Sequence, residues 1–170
     1  MMRKQYYDFK YGDFVEKHFA TCMKDRSNSV TKSNRHENMH KHIDFYVNDK
    51  GVDVKGGRHL DTIWLELTNV QGKDGWLKGK ADYVCFYVHE LESFCMYNRI
   101  DLLNLIGGVT ETTTNKKDYW KIYTRSKWGR KDEIVKVSYD DIKHLEIQQI
   151  HYPDASKDAY EFNSYESNNL

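Results

Sequence analysis

The residues best suited to chemistry are two aspartates and a lysine, Asp44, Asp53 and Lys55. They fall in two short runs of alternating apolar and polar residues, 42–47 and 51–55, and the turn-forming residues between the runs predict a β-hairpin. Successive side chains of a strand point to opposite faces of its sheet. We therefore expect the three charged side chains to share the face opposite the apolar residues.

The register of the hairpin decides which of these side chains are neighbours. A turn centred on residues 49–50 sets Asp44 opposite Lys55 and Tyr46 opposite Asp53. A slip of one residue would bury the carboxylates among the valines, so the hydrophobic pattern selects this register. Two carboxylates and one ammonium then converge on one face, with neighbouring Cβ atoms about 5–8 Å apart.

This grouping suits the chemistry of phosphodiesters. Two carboxylates at such a distance repel each other unless a cation joins them, and Mg²⁺ is held by one or two carboxylates together with waters and substrate phosphate oxygens. Such an ion polarises a phosphodiester and lowers the pKa of a bound water. A lysine on the same strand orients or deprotonates the attacking water and stabilises the transition state. The pattern therefore predicts Mg²⁺-dependent hydrolysis, with Mn²⁺ as the expected substitute ion.

The same residues resemble a known signature. Asp44, a short hairpin and then Asp53-Val54-Lys55 resemble the Asp…(Asp/Glu)-x-Lys motif of the PD-(D/E)XK nuclease superfamily, which has a restriction-endonuclease-like fold. Downstream segments resemble small phage-type members, so the similarity runs from about residue 13 to residue 145. The resemblance implies an initial helix, which often donates an acid, followed by a mixed sheet that contains a hairpin.

A helix predicted over residues 13–24 occupies the place of that initial helix. It puts Glu16 at the edge of its apolar face, as a further metal ligand. The sequence departs from the family pattern in two ways. Ile43 replaces the proline that usually precedes the first aspartate, and only the glycine-rich loop 71–80 follows where the fold normally inserts a helix.

A second, rival alignment of the motif exists. It takes Asp53 as the first acid and Glu66-Leu67-Thr68 as the second motif, with Thr68 at the lysine position and Lys55 substituting for that lysine in space. Both alignments need Asp53 and Lys55. Whether Asp44 or Glu66 is the second metal ligand therefore stays open.

Two basic segments are candidates for holding nucleic acid. Residues 115–136 hold eight Lys and Arg against three acids, with aromatic residues interleaved, and predict an additional basic β-hairpin. An exposed charged hairpin without a ligand is the alternative. Loop 71–80 adds lysines and a tryptophan that either stacks on bases or, as we favour, packs on a sheet. The candidate binding residues are Lys73, Trp76, Lys78, Lys80, Arg125, Lys127, Arg130 and Lys131.

Composition limits the class of protein. The chain has 170 residues with 26 Lys and Arg against 26 Asp and Glu, which excludes a globally basic coat protein but allows a local basic face. No stretch is apolar enough to span a membrane, and the N-terminus lacks a signal peptide. The three cysteines form no C-x-x-C motif, so we expect a reducing, cytoplasmic location (the host cytoplasm for a phage-encoded protein) without a membrane partner.

The hydrophobic pattern predicts one α/β domain over residues 1–153 and a loosely ordered acidic tail over 154–170. The resemblance implies that this domain has a restriction-endonuclease-like mixed central sheet flanked by helices. Besides the segments above, the hydrophobic pattern predicts an exposed loop over 25–41, strands over 62–70 and 81–88, a mainly helical segment over 90–106, a hairpin of 119–125 with 132–138, and a helix over 139–150.

The sequence as a whole predicts a metal-dependent nuclease. DNA is the favoured substrate and RNA stays open, because nothing in the sequence shows how a 2′-hydroxyl would be read. Without a separate reading domain we expect little sequence specificity, unless the protein forms a homodimer. The alternative class is a catalytically inactive nuclease-fold protein that binds nucleic acid or inhibits a host protein.

Overall fold

The chain forms a mixed α/β structure with two mixed sheets. The computed structural model describes residues 2–124 and 129–155, with the backbone alone over 2–10 and at residue 57. Its helices are α1 (Met2–Asp25), α2 (Arg35–Lys41), α3 (Arg99–Ile106) and α4 (Tyr139–Ile142). Its strands are β1 (Val30–Lys32), β2 (Phe45–Val47), β3 (Lys50–Arg58), β4 (Ile63–Thr68), β5 (Tyr83–Val88), β6 (Ser93–Asn98), β7 (Thr112–Thr113), β8 (Ile122–Thr124), β9 (Glu133–Val137) and β10 (Glu146–His151).

The first sheet has the strand order β1-β2-β3-β5-β6-β10. Neighbouring strands are antiparallel except β3 and β5, which are parallel. Helix α1 packs on one face, where Val15 and Phe19 join Phe45, Val52 and Val54 in a buried cluster. The charged residues that alternate with these valines therefore point to the opposite face.

The second sheet has the strand order β4-β9-β8-β7, with β7 and β8 parallel and the other pairs antiparallel. Ile63 and Leu65 of β4 and Val135 of β9 are buried in a second cluster, together with Phe86 of β5 and Leu102 of α3. A core therefore fills the space between the two sheets and α3. The predicted hairpin of 119–125 with 132–138 is confirmed as the β8–β9 pair, while residues 125–128 lie outside the described part of the chain.

The helix predicted over 90–106 is wrong in its first half. Residues 93–98 form β6, which pairs with β5 on one side and β10 on the other. Residues 93–97 are all buried, so both faces of the strand are covered and the alternation of an exposed strand is missing. The helix begins after Asn98, whose side chain accepts a hydrogen bond from Ile100 N.

The helix predicted over 139–150 is also wrong in its second half. The capping box of Ser138 and Asp141 is present, and α4 is followed by a 3-10 turn over Lys143–Leu145, but the chain then continues as β10, antiparallel to β6. A capping box marks where a helix begins and says nothing about its length. Segment 25–41 is largely exposed as predicted, but it is not an irregular loop, since it contains β1 and α2.

Three further points bear on the sequence predictions. The three cysteines are buried and free of disulfides. No helix in the described part of the chain is long and apolar enough to cross a membrane. The predicted acidic tail falls mostly on residues 156–170, which lie outside the described residues.

The close approach of α1 to β3 predicts opposite effects for two glycine substitutions. A Cβ atom at Gly56 of β3 would lie 2.9 Å from Val15 Cγ2, so Gly56→Ala should displace α1 and lower the free energy of unfolding by about 1–3 kcal/mol. A Cβ atom at Gly12 in α1 would have no neighbour within 4 Å, so Gly12→Ala should raise the free energy of unfolding by up to ~1 kcal/mol through helix propensity. Urea unfolding measures both. Equal stability of the two variants would contradict the packing of α1 on β3.

Candidate active site

The turn of the first hairpin sets a register that differs from the predicted one. Asn48 and Asp49 have positive φ values of 48° and 66°, which makes them the two central residues of a tight turn. Phe45 therefore pairs with Val52, and Tyr46 with Gly51. The prediction that Asp44 lies opposite Lys55 and Tyr46 opposite Asp53 is wrong by two residues. One step beyond the Phe45–Val52 pair, Asp44 comes beside Asp53.

Asp44 is buried and held at both carboxylate oxygens. Asn38 of α2 donates its side-chain amide to Oδ1, and the backbone N–H of Val54 donates to Oδ2 at 2.7 Å. The backbone N–H of Asp44 donates to Val52 O at 2.9 Å, which continues the hairpin. The position of this acid is therefore fixed by α2 as well as by β3.

Asp53 and Lys55 form an ion pair beneath this carboxylate. Lys55 Nζ lies 2.7 Å from Asp53 Oδ1, and Asp53 is only 1% exposed while the lysine side chain is 23% exposed. Burial raises the pKa of Asp53 well above its usual range, and the Asp44 carboxylate adds to this against the opposing effect of Lys55. Burial lowers the pKa of Lys55, but the carboxylates of Asp53 and Asp44 outweigh it and hold the pKa above its ordinary value.

One oxygen of this pair lacks a partner. Asp53 Oδ2 is buried and accepts no hydrogen bond. A buried polar atom without a partner costs free energy, and such atoms are rare in native structures. Either a bound cation or a proton shared with the neighbouring Asp44 carboxyl, which raises the pKa of Asp53, would satisfy this oxygen.

Glu66 reaches the same lysine from the second sheet. It lies half-buried on β4, and burial raises its pKa, with Lys55 opposing and Asp132 reinforcing the shift. A Cβ atom at Gly75 would lie 2.7 Å from Glu66 O, so loop 71–80 packs directly on this part of β4. Both alternatives for the second acid, Asp44 and Glu66, therefore surround Lys55, and the choice between them stays open.

Glu16 completes the acidic surroundings from α1. Burial is the main cause that raises its pKa to about 7, followed by the charge of Asp44, and Lys32 and Lys55 act in the opposite direction. Lys32 Nζ lies 3.9 Å from Glu16 Oε2. The helix therefore supplies an acid beside the hairpin, at the edge of its apolar face as predicted.

Two residues of the site were missed in the sequence, Asn38 and Arg58. Asn38 was not identified as a site residue because its segment was predicted to be an exposed loop. The Arg58 guanidinium donates to Gly56 O at 2.6 Å, and burial lowers its pKa to about 10 against the opposing charges of Asp53 and Glu66. Strict alternation sends Arg58 to the other face, but the pairing of β3 with β5 shifts register between Lys55 and Arg58. Two consecutive glycines at 56–57 were the available signal for this bulge.

The predicted binding residues divide into exposed lysines and a buried tryptophan. Trp76 lies in the core edge-on to Phe86, with Lys55 Nζ 5.6 Å from its ring centroid, which confirms packing rather than base stacking. Arg125 and Lys127 lie outside the described residues. The remaining predicted cations are exposed: Lys73, Lys78, Lys80, Arg130 and Lys131.

The two basic segments meet in the structure. The backbone N–H of Lys131 donates to Val70 O at 3.2 Å. A Cβ atom at Gly72, which has a φ of 79°, would lie 2.8 Å from Lys131 Cδ. Loop 71–80 and the end of the basic hairpin are therefore parts of one surface.

The donor set fits a divalent cation. Within residues 2–124 and 129–155, no three His, Cys, Asp or Glu side chains are close enough together to hold a metal ion. Mg²⁺, however, is usually bound through one or two carboxylates, with waters and substrate phosphates as its other ligands. Two neighbouring carboxylates, one with a buried oxygen that lacks a partner, meet that requirement. Asp44 and Asp53 would hold the ion, with Glu66 or Glu16 as the third acid.

Comparisons of the chain with protein-family models, with curated proteins and with solved structures found no match. The resemblance to the PD-(D/E)XK superfamily therefore stays a prediction. The class of protein has to be argued from the geometry of the site itself.

The pKa of Glu16 predicts a pH-dependent contribution to stability. A carboxyl group with a pKa near 7 in the folded chain and an ordinary value of 4.5 stabilises the fold fully below about pH 4.5. This contribution is lost as the pH rises to about 7. In urea titrations, wild type should therefore lose stability relative to Glu16→Gln between pH 4.5 and pH 7, and the difference should be constant outside that window. Parallel stability curves would contradict the burial of Glu16 beside Asp44.

Proposed function

We propose that this protein is a metal-dependent nuclease that hydrolyses phosphodiester bonds, with DNA as its substrate. The observation that carries the proposal is the buried Asp53–Lys55 pair with Asp44 beside it and one carboxylate oxygen without a partner. Acids that share a site with a lysine are typical of centres that handle phosphate.

Lys55 serves as a fixed positive charge in this proposal. Its raised pKa keeps the ammonium protonated near neutral pH, so it is unsuited to act as a base. One of its hydrogens is engaged by Asp53, while the exposed part of the side chain is free to approach a phosphate oxygen. A charge placed where negative charge develops stabilises the transition state.

Where Glu66 serves as the third acid at the cation, Glu16 is the group best suited to accept a proton. A base is most effective when its pKa lies near the working pH, and the pKa of Glu16 is about 7. Its electrostatic neighbours include Asp44 and Lys55, which places it beside the acids that would hold the cation. A bound Mg²⁺ or Mn²⁺ would supply polarisation of the phosphodiester and a lowered pKa of water. Asn38 positions Asp44 through its hydrogen bond, and the charge of Arg58 acts on Asp53 and Glu66.

The fold supports a restriction-endonuclease-like assignment. A helix precedes a hairpin within a mixed sheet, and the helix brings an acid to the hairpin, as the resemblance implies. The helix expected after the Asp-x-Lys strand is reduced to a 3-10 turn, Trp76–Lys78. The strand pairing β3–β5 is parallel, so the chain makes a crossover after the motif.

The proposal predicts cleavage that depends on both Lys55 and the metal. Wild type should cut supercoiled plasmid, single-stranded DNA or a branched duplex in Mg²⁺ or Mn²⁺ and not in EDTA. Lys55→Met and Asp53→Asn should reduce the rate at least ~100-fold. Lys50→Ala is the matched control, because Lys50 lies on the same strand but is exposed and pairs with Asp82. It should cut at the wild-type rate.

Thermal unfolding separates lost activity from lost fold. Removing one member of a buried pair costs about 3–5 kcal/mol, so the activity of Asp53→Asn alone does not distinguish lost chemistry from lost fold. Lys55→Met keeps an apolar stem against Trp76. Cleavage at the wild-type rate by folded Lys55→Met protein would overturn the proposed site. Binding without any cleavage by wild type would support instead the inactive nuclease-fold binding protein.

The two basic segments, loop 71–80 and the basic hairpin, predict how the binding of DNA depends on salt. Neutralising Arg125, Arg130 and Lys131 together should weaken binding of DNA. It should also reduce the slope of log affinity against log salt by up to about 2–3, since each lost phosphate contact contributes about 0.7–0.9. A triple substitution of Lys17, Lys24 and Lys50 removes the same charge elsewhere and should leave the slope unchanged. Equal slopes in both triples would contradict the placement of the nucleic acid.

A further inference from the structure

The outer face of the second sheet carries a set of aromatic side chains. Alternation along β4 turns Ile63 and Leu65 into the core, so Trp64 and Glu66 share the opposite face about 6–7 Å apart. Lys136 of β9 pairs with Trp64 across the sheet. We call this surface the aromatic face; it consists of Trp64, Tyr119, Trp120, Tyr123 and Lys136.

The rings of the aromatic face are held in fixed positions. The Trp64 and Tyr123 ring centroids lie 6.0 Å apart across β9. The Tyr119 hydroxyl donates to Asp61 O at 2.6 Å, and Lys136 Nζ lies 4.2 Å from the centroid of the Tyr119 ring. A cation is thus placed among the rings, where it can also meet a phosphate.

Trp120 lies beside Lys136 in an unusual backbone conformation. Its φ is 56°, in the left-handed region that bulky residues rarely adopt, and its N–H donates to Lys136 O at 3.0 Å. Its side chain also forms a hydrogen bond with the Asp141 carboxylate. Trp120 is 37% exposed and Tyr119 is 39% exposed, so part of each ring stays in contact with water. Strained residues of this kind are concentrated at functional sites.

The aromatic face is continuous with the candidate active site. Glu66, two residues from Trp64 on the same face of β4, packs on Gly75, where a Cβ atom would lie 2.8 Å from Glu66 Cγ, and Lys55 Nζ lies 5.6 Å from the ring of the next residue, Trp76. A strand of nucleic acid with a phosphate at Lys55 would therefore pass Glu66, at the edge of the second sheet, to reach the aromatic face.

We propose that the aromatic face stacks the unpaired bases of a single-stranded segment and guides that strand to Lys55. The inference rests on the proposed nuclease function and names its substrate class. Every base has a flat face that an aromatic ring can stack on, but in a duplex these faces are covered by neighbouring base pairs. Flat exposed rings beside a lysine therefore favour unpaired nucleotides over a duplex.

Binding to matched oligonucleotides tests the inference. Labelled oligothymidylate and a blunt duplex of the same length would be titrated in EDTA against Lys55→Met protein, so that no strand is cut. Trp64→Ala and Trp120→Ala should each weaken binding of the single strand by about 5- to 150-fold and leave duplex binding nearly unchanged. Trp120→Tyr should restore most of the affinity. Ile147→Ala, which removes an exposed apolar side chain from β10, should change neither the affinity for the single strand nor the affinity for the duplex.

Several results would overturn the inference. Unchanged binding of the single strand by folded Trp64→Ala and Trp120→Ala would do so, as would an equal loss for single strand and duplex. A change in oligomeric state of the same variants in sedimentation would make the face a subunit contact. Cleavage in Mg²⁺ is measured separately with wild type and Lys55→Met. If cleavage depends on Lys55 but the tryptophan variants bind the single strand normally, only the inference about the aromatic face is contradicted. If cleavage does not depend on Lys55, the proposed active site is contradicted instead.

Discussion

The buried contact between Asp53 and Lys55 organises the surrounding structure. Removing two charges from water is costly, and the cost is offset only where neighbouring groups satisfy them. Here Lys55 is favoured by the acids Glu16 of α1, Asp44 just before β2 and Glu66 of β4, and Asp53 is favoured by Arg58 of β3. Replacing a buried ion pair by an apolar pair of similar volume is often neutral or stabilising, so stability alone gives no reason for this arrangement. The proposed nuclease function gives one, because it needs a positive charge at a fixed point.

The sequence predicted the content of the first hairpin but not its register. Alternation decides which face each side chain takes, and it is equally satisfied by registers that differ by two residues. The turn chooses between them, and Asn48 and Asp49 both adopt positive φ values. Because Asn and Asp tolerate that conformation better than most residues, the turn chemistry was the better guide. The shift brings Asp44 closer to Asp53 than predicted.

Other differences arise from contacts between distant parts of the chain. Segments 93–98 and 146–151 pair with each other as strands, although one lacks alternation and the other follows a helix-capping box. Neither segment shows this partnership locally. Likewise, nothing in segment 62–70 indicates that its strand leaves the first sheet, joins a second one and returns Glu66 to Lys55. The sequence was enough to name the candidate site residues and the strand face that each occupies, whereas these strand pairings depend on the whole fold.

The pairing of β4 with β9 has a consequence for synthesis of the chain. The strand that carries Glu66 ends at residue 68, but its partner begins at residue 133. A chain still on the ribosome holds Asp44, Asp53 and Lys55 well before β9 has emerged, and during that time Glu66 has no sheet to fix it. Such long-range pairing also slows folding, because loop closure must precede the contacts that reward it. The acidic cluster is therefore completed only after β9 has been synthesised, and a nascent chain that stops short of β9 carries the motif without the assembled site.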